Sequence, residues 1–292
     1  MTVRPARPED APAVVALRAL VYPYLVRGVE GTRQMIATTP RSRLVSVAEV
    51  DGAVVGWVSA YSPGGGSGEI SLLHVHPDHR GLGLGTALLD TALAHLGTLD
   101  ADRVRGWALE DSLGFARAHG FTPSRPVRYA ALDLRGLPPL PPAPPGVELR
   151  PMDAIDVPAL HAAHVAASAD EPGDVPVTPM SYDDWRAEIW DNPDMARSAS
   201  VAAVVDGTPV ALAELLRDGH RVWSDMTATL PAYRGRGLAR LAKLAALHRA
   251  RDAGATEAYT SNDEANAPML AVNARLGYRP VATQWSCLRE LP

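Results

Sequence analysis

The chain contains a single cysteine, Cys287, in 292 residues. That excludes an intrachain disulfide framework and fits a reducing cytoplasm. A lone cysteine in a strand-like C-terminal segment reads first as a small buried hydrophobe. Positive charge is also in short supply: 28 Lys and Arg face 33 Asp and Glu, for a net charge of −5. With no basic face or tail in the pattern, nucleic acid is not expected as a partner. No apolar run approaches the length of a membrane span, and the first residues lack the charged-then-apolar pattern of a secretory leader, so a cytoplasmic protein without a membrane partner is expected. Phenylalanine occurs only twice, against 24 Gly and 26 Pro. That deficit reads as coding bias and excludes no function. No metal-ligand set is expected. What remains is an ordinary globular composition, 47% hydrophobic and 21% charged, in a chain long enough for two domains with separate cores.

The most informative stretch is Leu230 to Arg240, between a strand-like run (Val222 to Thr229) and a helical run (Leu238 to Arg251). A glycine-rich turn that opens a helix leaves backbone N–H groups converging at the positive end of the helix dipole, a ready anion site. Gly235 and Gly237 permit close approach of a ligand, and Arg234 and Arg236 add charge. Two familiar phosphate loops fail on spacing. The P-loop needs Lys and Ser/Thr after its last glycine, where Leu238 and Ala239 stand; the dinucleotide fingerprint needs Gly or Ala where Arg240 stands. The pattern present is Arg234-x-x-Gly237-x-Ala239. It recurs as Arg80-x-x-Gly83-x-Gly85, again after a strand run (Ile70 to Val75) and a proline (Pro77) and before a helix (Thr86 to Leu96), with the two arginines 154 positions apart. A turn repeated one domain length away in the same strand–loop–helix setting marks a tandem repeat.

Both loops resemble the pyrophosphate loop of the GNAT superfamily of acyl-CoA-dependent N-acyltransferases, and the resemblance covers nearly the whole chain. It implies an α+β fold of two tandem GNAT domains, each a mixed twisted sheet flanked by helices. The N-terminal domain is expected over 1–135 and the C-terminal domain over 147–292. Between them, 136–146 reads as a semi-rigid linker, because its prolines favour extended polyproline conformation. Hairpin signals at Asp51-Gly52 and Asp206-Gly207 place a meander in each half. The resemblance further implies acetyl-CoA as cosubstrate. Its pyrophosphate would lie on Arg80, Gly81, Leu82, Gly83, Leu84, Gly85 and Thr86 in the first half, and on Arg234, Gly235, Arg236, Gly237, Leu238, Ala239 and Arg240 in the second. The pantetheine arm would pair with the strand ends Leu73, His74 and Val75, and Thr227, Ala228 and Thr229.

Family members usually carry an Asn at the start of the last helix and a Tyr four residues before its closing glycine. In the first half these positions are Leu109 and Ala116. In the second they are Asn266, which is retained, and Asn273. The first half therefore reads as degenerate and the second as the catalytic half. Asn273 can donate a hydrogen bond to a thiolate but has no proton to give, so Tyr278, Tyr259 or water is left as the acid. Asn273 reads equally as a helix-surface amide. Asp225 and Glu214 are the candidate bases for the acceptor ammonium. Glu69, His74 and His76 flank the strand before the first loop and could transfer protons, but a His beside a strand end reads first as a solvated or hydrogen-bonded surface residue. The acidic segment Ala169 to Pro176 lies where the family builds its acceptor pocket, and Asp183 and Asp184 suit a helix N-terminus. The expected function is transfer of an acetyl group from acetyl-CoA to a small-molecule amine of the antibiotic, amino-sugar, amino-acid or thiol-metabolite type, by a monomer or homodimer. The alternatives are a non-catalytic acyl-CoA sensor or scaffold, and a protein N-acetyltransferase.

Overall fold

The computed structural model describes residues 2–169 and 179–291; most of the acidic segment 169–176 lies outside the described residues. In chain order the main elements are β1 (Thr2–Pro5), α1 (Ala11–Val21), α2 (Val29–Ala37), β2 (Arg43–Val50), β3 (Ala53–Gly64), β4 (Ser67–Val75), α3 (Leu84–Gly97), β5 (Arg103–Leu109), α4 (Leu113–Ala118) and β6 (Thr122–Asp133). There follow β7 (Glu148–Pro151), α5 (Val157–Ser168), α6 (Tyr182–Trp185), β8 (Val201–Val205), β9 (Thr208–Asp218), β10 (Arg221–Thr229), α7 (Leu238–Asp252), β11 (Glu257–Asp263), α8 (Ala267–Leu276) and β12 (Arg279–Glu290).

The chain forms two compact units, and they do not divide at the proline-rich segment. Unit 1 comprises Met1–Arg128 together with Ala282–Pro292; unit 2 comprises Tyr129–Val281. The reason is strand pairing. Gln284 to Glu290 of β12 pair antiparallel with Leu109 to Arg103 of β5 inside unit 1. The end of the expected first domain and the start of the expected linker both pack into unit 2. Leu134 is fully buried there, Leu137 lies against the same core, and the Pro138 carbonyl accepts a hydrogen bond from His248 Nε2 at 2.8 Å.

In unit 1 the strands run β1-β2-β3-β4-β5-β12. Helix α3 buries Leu84, Leu88, Leu89, Ala92 and Leu96, the residues at helical spacing, against Val58, Ile70 and Val104 of the sheet. It packs so closely that a Cβ on Gly56 would stand 2.9 Å from Leu88 Cδ1 and Ala48 Cβ. Helix α1 packs Ala11, Val14 and Leu17 with Val45, Val47 and Trp57 in a separate cluster. Cys287 is buried in the α3 cluster, as expected of a lone cysteine in the C-terminal strand. In unit 2 the strands run β7-β8-β9-β10-β11, and α7 plays the part of α3, with Ala242, Ala246 and Ala250 against Ala213, Leu215, Val222 and Ala258. Both meander hairpins turn where predicted. Asp51 and Gly52 have φ of 50° and 81°, and Asp206 and Gly207 have 48° and 78°, the left-handed pair that a two-residue hairpin requires. Among the described residues no helix is long and apolar enough to cross a membrane.

Candidate active site

In unit 1, β4 and β5 pair in parallel only from Ser67–Ile70 against Arg103–Gly106. Beyond that point no pairing continues, and the strand ends border a cleft of about 600 Å³. One wall is the backbone of Leu73, His74 and Val75; another is the loop and first turn of α3, with Arg80, Gly81, Gly83, Leu84, Gly85 and Thr86. All of these are sequence-predicted site residues. Leu82 is the exception, 58% exposed and outside the lining. Gly81 and Gly83 have φ of 76° and 79°, and no atom lies within 4 Å of a Cβ built on either. The loop is therefore strained for any other residue and open on the side where a ligand would lie. Its arginine is not a freely offered charge, because Arg80 Nε donates to the Val75 carbonyl at 3.4 Å and braces the loop on the end of β4.

His74 departs from its expected surface role. It is 7% exposed, lines the cleft, and lies tilted against the Tyr22 ring at 5.8 Å between centroids. Its Nδ1 meets no hydrogen-bond partner among the described residues. Burial, helped by Arg18 and Arg80, pulls its pKa to about 3, so the ring is neutral. Glu69 is committed to Arg105 and Trp107, and His76 accepts from the Asp78 N–H. The positions of the missing Tyr and Asn, Ala116 and Leu109, also line the cleft.

Unit 2 repeats the frame. Strands β10 and β11 pair only over Arg221–Trp223 against Glu257–Tyr259, and β10 has a register shift against β9 between Ser224 and Thr227. Gly235 and Gly237 both have φ of 76°, with open space where a Cβ would stand. Arg234 Nε donates to the Thr229 carbonyl at 3.0 Å, the same brace as Arg80 makes. Arg236 stacks on Tyr233 and donates to the Ala232 carbonyl, so it too holds the loop. Leu238 is buried at the start of α7, while Ala239 and Arg240 follow it less buried. Asn266 is the expected cap: its side chain accepts from the Met269 N–H at 3.3 Å, with Gly277 in left-handed conformation past the helix end. Thr229 is buried at the loop entrance, and Thr227 and Ala228 precede it half-buried.

The candidate bases separate. Asp225 is exposed and accepts from its neighbour Trp223 Nε1 at 2.8 Å. Glu214 is 1% exposed, with Oε1 3.0 Å from His164 Nδ1 on α5 and no partner for Oε2 among the described residues. Among the candidate acids, Tyr278 is fully buried and burial pushes its phenol upward; Tyr259 is raised by burial and by its hydrogen bond to Glu257, at 2.9 Å. Asn273 is not a surface amide. It is buried, its Oδ1 accepts from Lys243 Nζ at 2.7 Å, and its Nδ2 donates to Asn262 Oδ1 at 2.5 Å. Asp183 and Asp184 do sit in the first turn of α6, but Ser181 is the cap, accepting from the Asp184 N–H at 3.2 Å.

Sequence reasoning missed Lys243, His164 and Tyr22. Lys243 had a visible signal: it is the chain's one lysine, nine places after Arg234, where the first repeat has Leu89. His164 had none, because only the fold brings α5 to β9.

A family model described as the acetyltransferase (GNAT) family matches residues 16–121 and 162–278. The mycothiol acetyltransferase of Nocardiopsis dassonvillei is 32% identical over 262 residues, covering 78% of this chain and 76% of that protein. The mycothiol acetyltransferase of a Nocardioides species is 29% identical over 227 residues, 72% of this chain and 76% of its own length. Among solved structures, a tandem GNAT protein from the clavulanic acid biosynthesis pathway matches with a TM-score of 0.77 at 22% identity, over 99% of this chain and 98% of the other. A GCN5-related N-acetyltransferase from Sphaerobacter thermophilus matches with 0.73 at 20% identity, over 99% and 95%. At these identities the structural matches speak to the fold.

Proposed function

Because this chain belongs to the GNAT family of acetyltransferases, we propose that it moves the acetyl group of acetyl-CoA to the amine of a small molecule, with unit 2 carrying the chemistry. The observation that carries the reading is the repeated arrangement of two parallel strands that part beside a loop of left-handed glycines opening a helix. Parted strands leave backbone groups for an extended acyl-pantetheine arm. The loop N–H groups, at Gly81 to Gly85 and at Gly235 to Ala239, suit a pyrophosphate. Binding energy gathered there, remote from the reacting carbon, positions the thioester.

The units differ in what they offer the reaction. In unit 1 the position of the family's tyrosine is Ala116, which cannot hold or move a proton, and the cleft suits a bound acetyl-CoA that does not turn over. Unit 2 has the pair of buried Glu214 and half-buried His164, in which the carboxylate orients the imidazole, and our reading makes this pair the acceptor of the ammonium proton. A neutral amine then attacks the thioester carbonyl, whose oxygen backbone N–H groups of the parted strand stabilise. The relatives' name directs the first test toward amines of the thiol-metabolite class.

Thiol release from acetyl-CoA should be followed across amines of that class, amino sugars, antibiotics and peptides. Turnover with one amine class is expected to fall at least about 100-fold in Gly237→Glu, where an acid enters the anion loop and a left-handed position at once. Gly83→Glu should retain most of it. Absence of Tyr at both 116 and 273 favours a second reading, an acyl-CoA sensor, and tight binding without release on any acceptor would select it.

A further inference from the structure

Lys243 is the only lysine in a chain whose 28 Lys and Arg are otherwise all arginine. It is also among the largest fully buried side chains, 1% exposed on α7. Its Nζ donates to Asn273 Oδ1 at 2.7 Å and stands 4.9 Å from the centre of the Tyr278 ring. Among the described residues no carboxylate pairs with it. The sheet presents Ala213, Leu215, Val222 and Ala258 to α7, all apolar. From α8 the facing group is Asn273, tied in turn to Asn262 of β11; among the described residues the titratable group against the ammonium is Tyr278.

A buried ammonium with only neutral partners is a costly feature. Packing does not demand it, because the equivalent position of unit 1 is Leu89, buried in the same helix setting. Arginine cannot release a proton in a protein; lysine can. The partner's position matters equally. Asn273 occupies the place, four residues before the closing Gly277, at which the family carries its thiolate-side tyrosine. The equivalent residues Leu89 and Ala116 both line the cleft of unit 1. By the correspondence of the two repeats, the Lys243–Asn273 bridge takes in unit 2 the place that these two cleft-lining residues hold in unit 1, which is the place our reading gives to the leaving sulfur.

We infer that Lys243 is the proton donor to the leaving thiolate in unit 2, taking the place of the family's tyrosine, with Asn273 as its positioning partner. This rests on the reading that unit 2 carries out acetyl transfer. As the carbon–sulfur bond breaks, its electron pair goes to sulfur; a Lys243 N–H proton follows, giving the free thiol and a neutral amine. The attacking nitrogen gives up a second proton as the intermediate collapses, and that proton restores the Lys243 ammonium. The first leaves through the Glu214–His164 pair, so acetyl-CoA and the acceptor ammonium give amide, CoA thiol and one proton released to solvent. Burial supports the role by pulling the ammonium down to about 7, within reach of a thiol's ordinary range.

The test compares wild type with Lys243→Met, a substitution close in volume that removes the buried charge and is expected to melt no lower. With acetyl-CoA, kcat is expected to fall about 100-fold while acetyl-CoA affinity stays within about threefold. The acid must be protonated, so wild-type kcat should decline as pH rises above the ammonium's value, and the variant should lack that limb. With S-acetylthiophenol, whose acidic thiol leaves without protonation, the two proteins should differ by less than about fivefold. Asn273→Ala keeps the test open should the first variant fold poorly. Losing the acceptor of its hydrogen bond disfavours the charged form, so the alkaline limb should move to lower pH.

Unchanged kcat in Lys243→Met overturns the inference, as does an equal loss with both donors or an unmoved limb in Asn273→Ala. Turnover that survives Gly237→Glu and dies in Gly83→Glu overturns it too, by placing the chemistry in unit 1 while leaving acetyl transfer standing. No turnover by wild type on any amine removes the functional reading and this inference together.

Discussion

His74 illustrates what a single residue contributes when burial decides its charge. Its pKa is pulled from 6.5 to about 3 in the fold. Between those values the unfolded chain holds a proton that the folded chain lacks, so stability rises with pH across that window and is lost as pH falls below 6.5. The slope from one such group is about 1.4 kcal/mol per pH unit. Replacing it with leucine should flatten the acid limb of urea-unfolding free energy between pH 6.5 and about 4, relative to wild type; an unaltered slope would mean that the ring ionises within the fold. Such residues were poorly legible in sequence. His74 and Asn273 look like surface polar groups because nothing in a one-dimensional pattern reports that Tyr22 at the end of α1 packs over the first, or that α7 packs against the second. The loop glycines were legible because left-handed backbone is a local property that glycine alone satisfies without strain.

Local signals also carried most elements. The hairpins at Asp51-Gly52 and Asp206-Gly207, the glycine that opens each phosphate-type loop helix, and the cap of α8 all lie within a few residues of the chain features that cause them. The cap offers a quantitative check. Asn266 satisfies an orphan N–H of α8, and Pro268 occupies its first turn without losing a donor. Asn266→Ala should cost about 1 kcal/mol and lower the melting temperature by roughly 2–4 °C. Asn266→Ser should restore most of that loss, because a hydroxyl also accepts the bond. If Ser and Ala melt alike, the side chain's place at the helix end has another cause. The role of β12 was not legible. Its alternating residues predict a strand, but which strand it joins depends on a partner some 180 residues earlier, Gln284 against Leu109 to Glu290 against Arg103.

That partner determines what the folding unit is. A division at the proline-rich segment would make 1–135 an independent domain, whereas unit 1 draws its last strand from 282–290. Without that strand β5 loses seven paired positions, and the cluster that holds Val104, Leu96 and Phe121 loses Cys287 and the flanking Trp285. An edge of that length with an apolar face behind it is prone to non-native pairing. Opening it also removes a wall of the acetyl-CoA cleft of our reading, since Gln284 and Cys287 line the same space as Leu73 and Gly83. A chain ending at Val281 is therefore expected to lose the cooperative melting of unit 1 and acetyl-CoA binding at its loop, as read by calorimetry in a Gly237→Glu background that silences the other loop. Residues 1–135 alone should fail in the same way. Adding a separate peptide of residues 280–292 should recover part of both signals, because the missing contribution is a strand and its side chains rather than covalent continuity. Full binding by 1–135 without the peptide would mean that β5 closes unit 1 unaided, and the division at 136–146 would then be the true one.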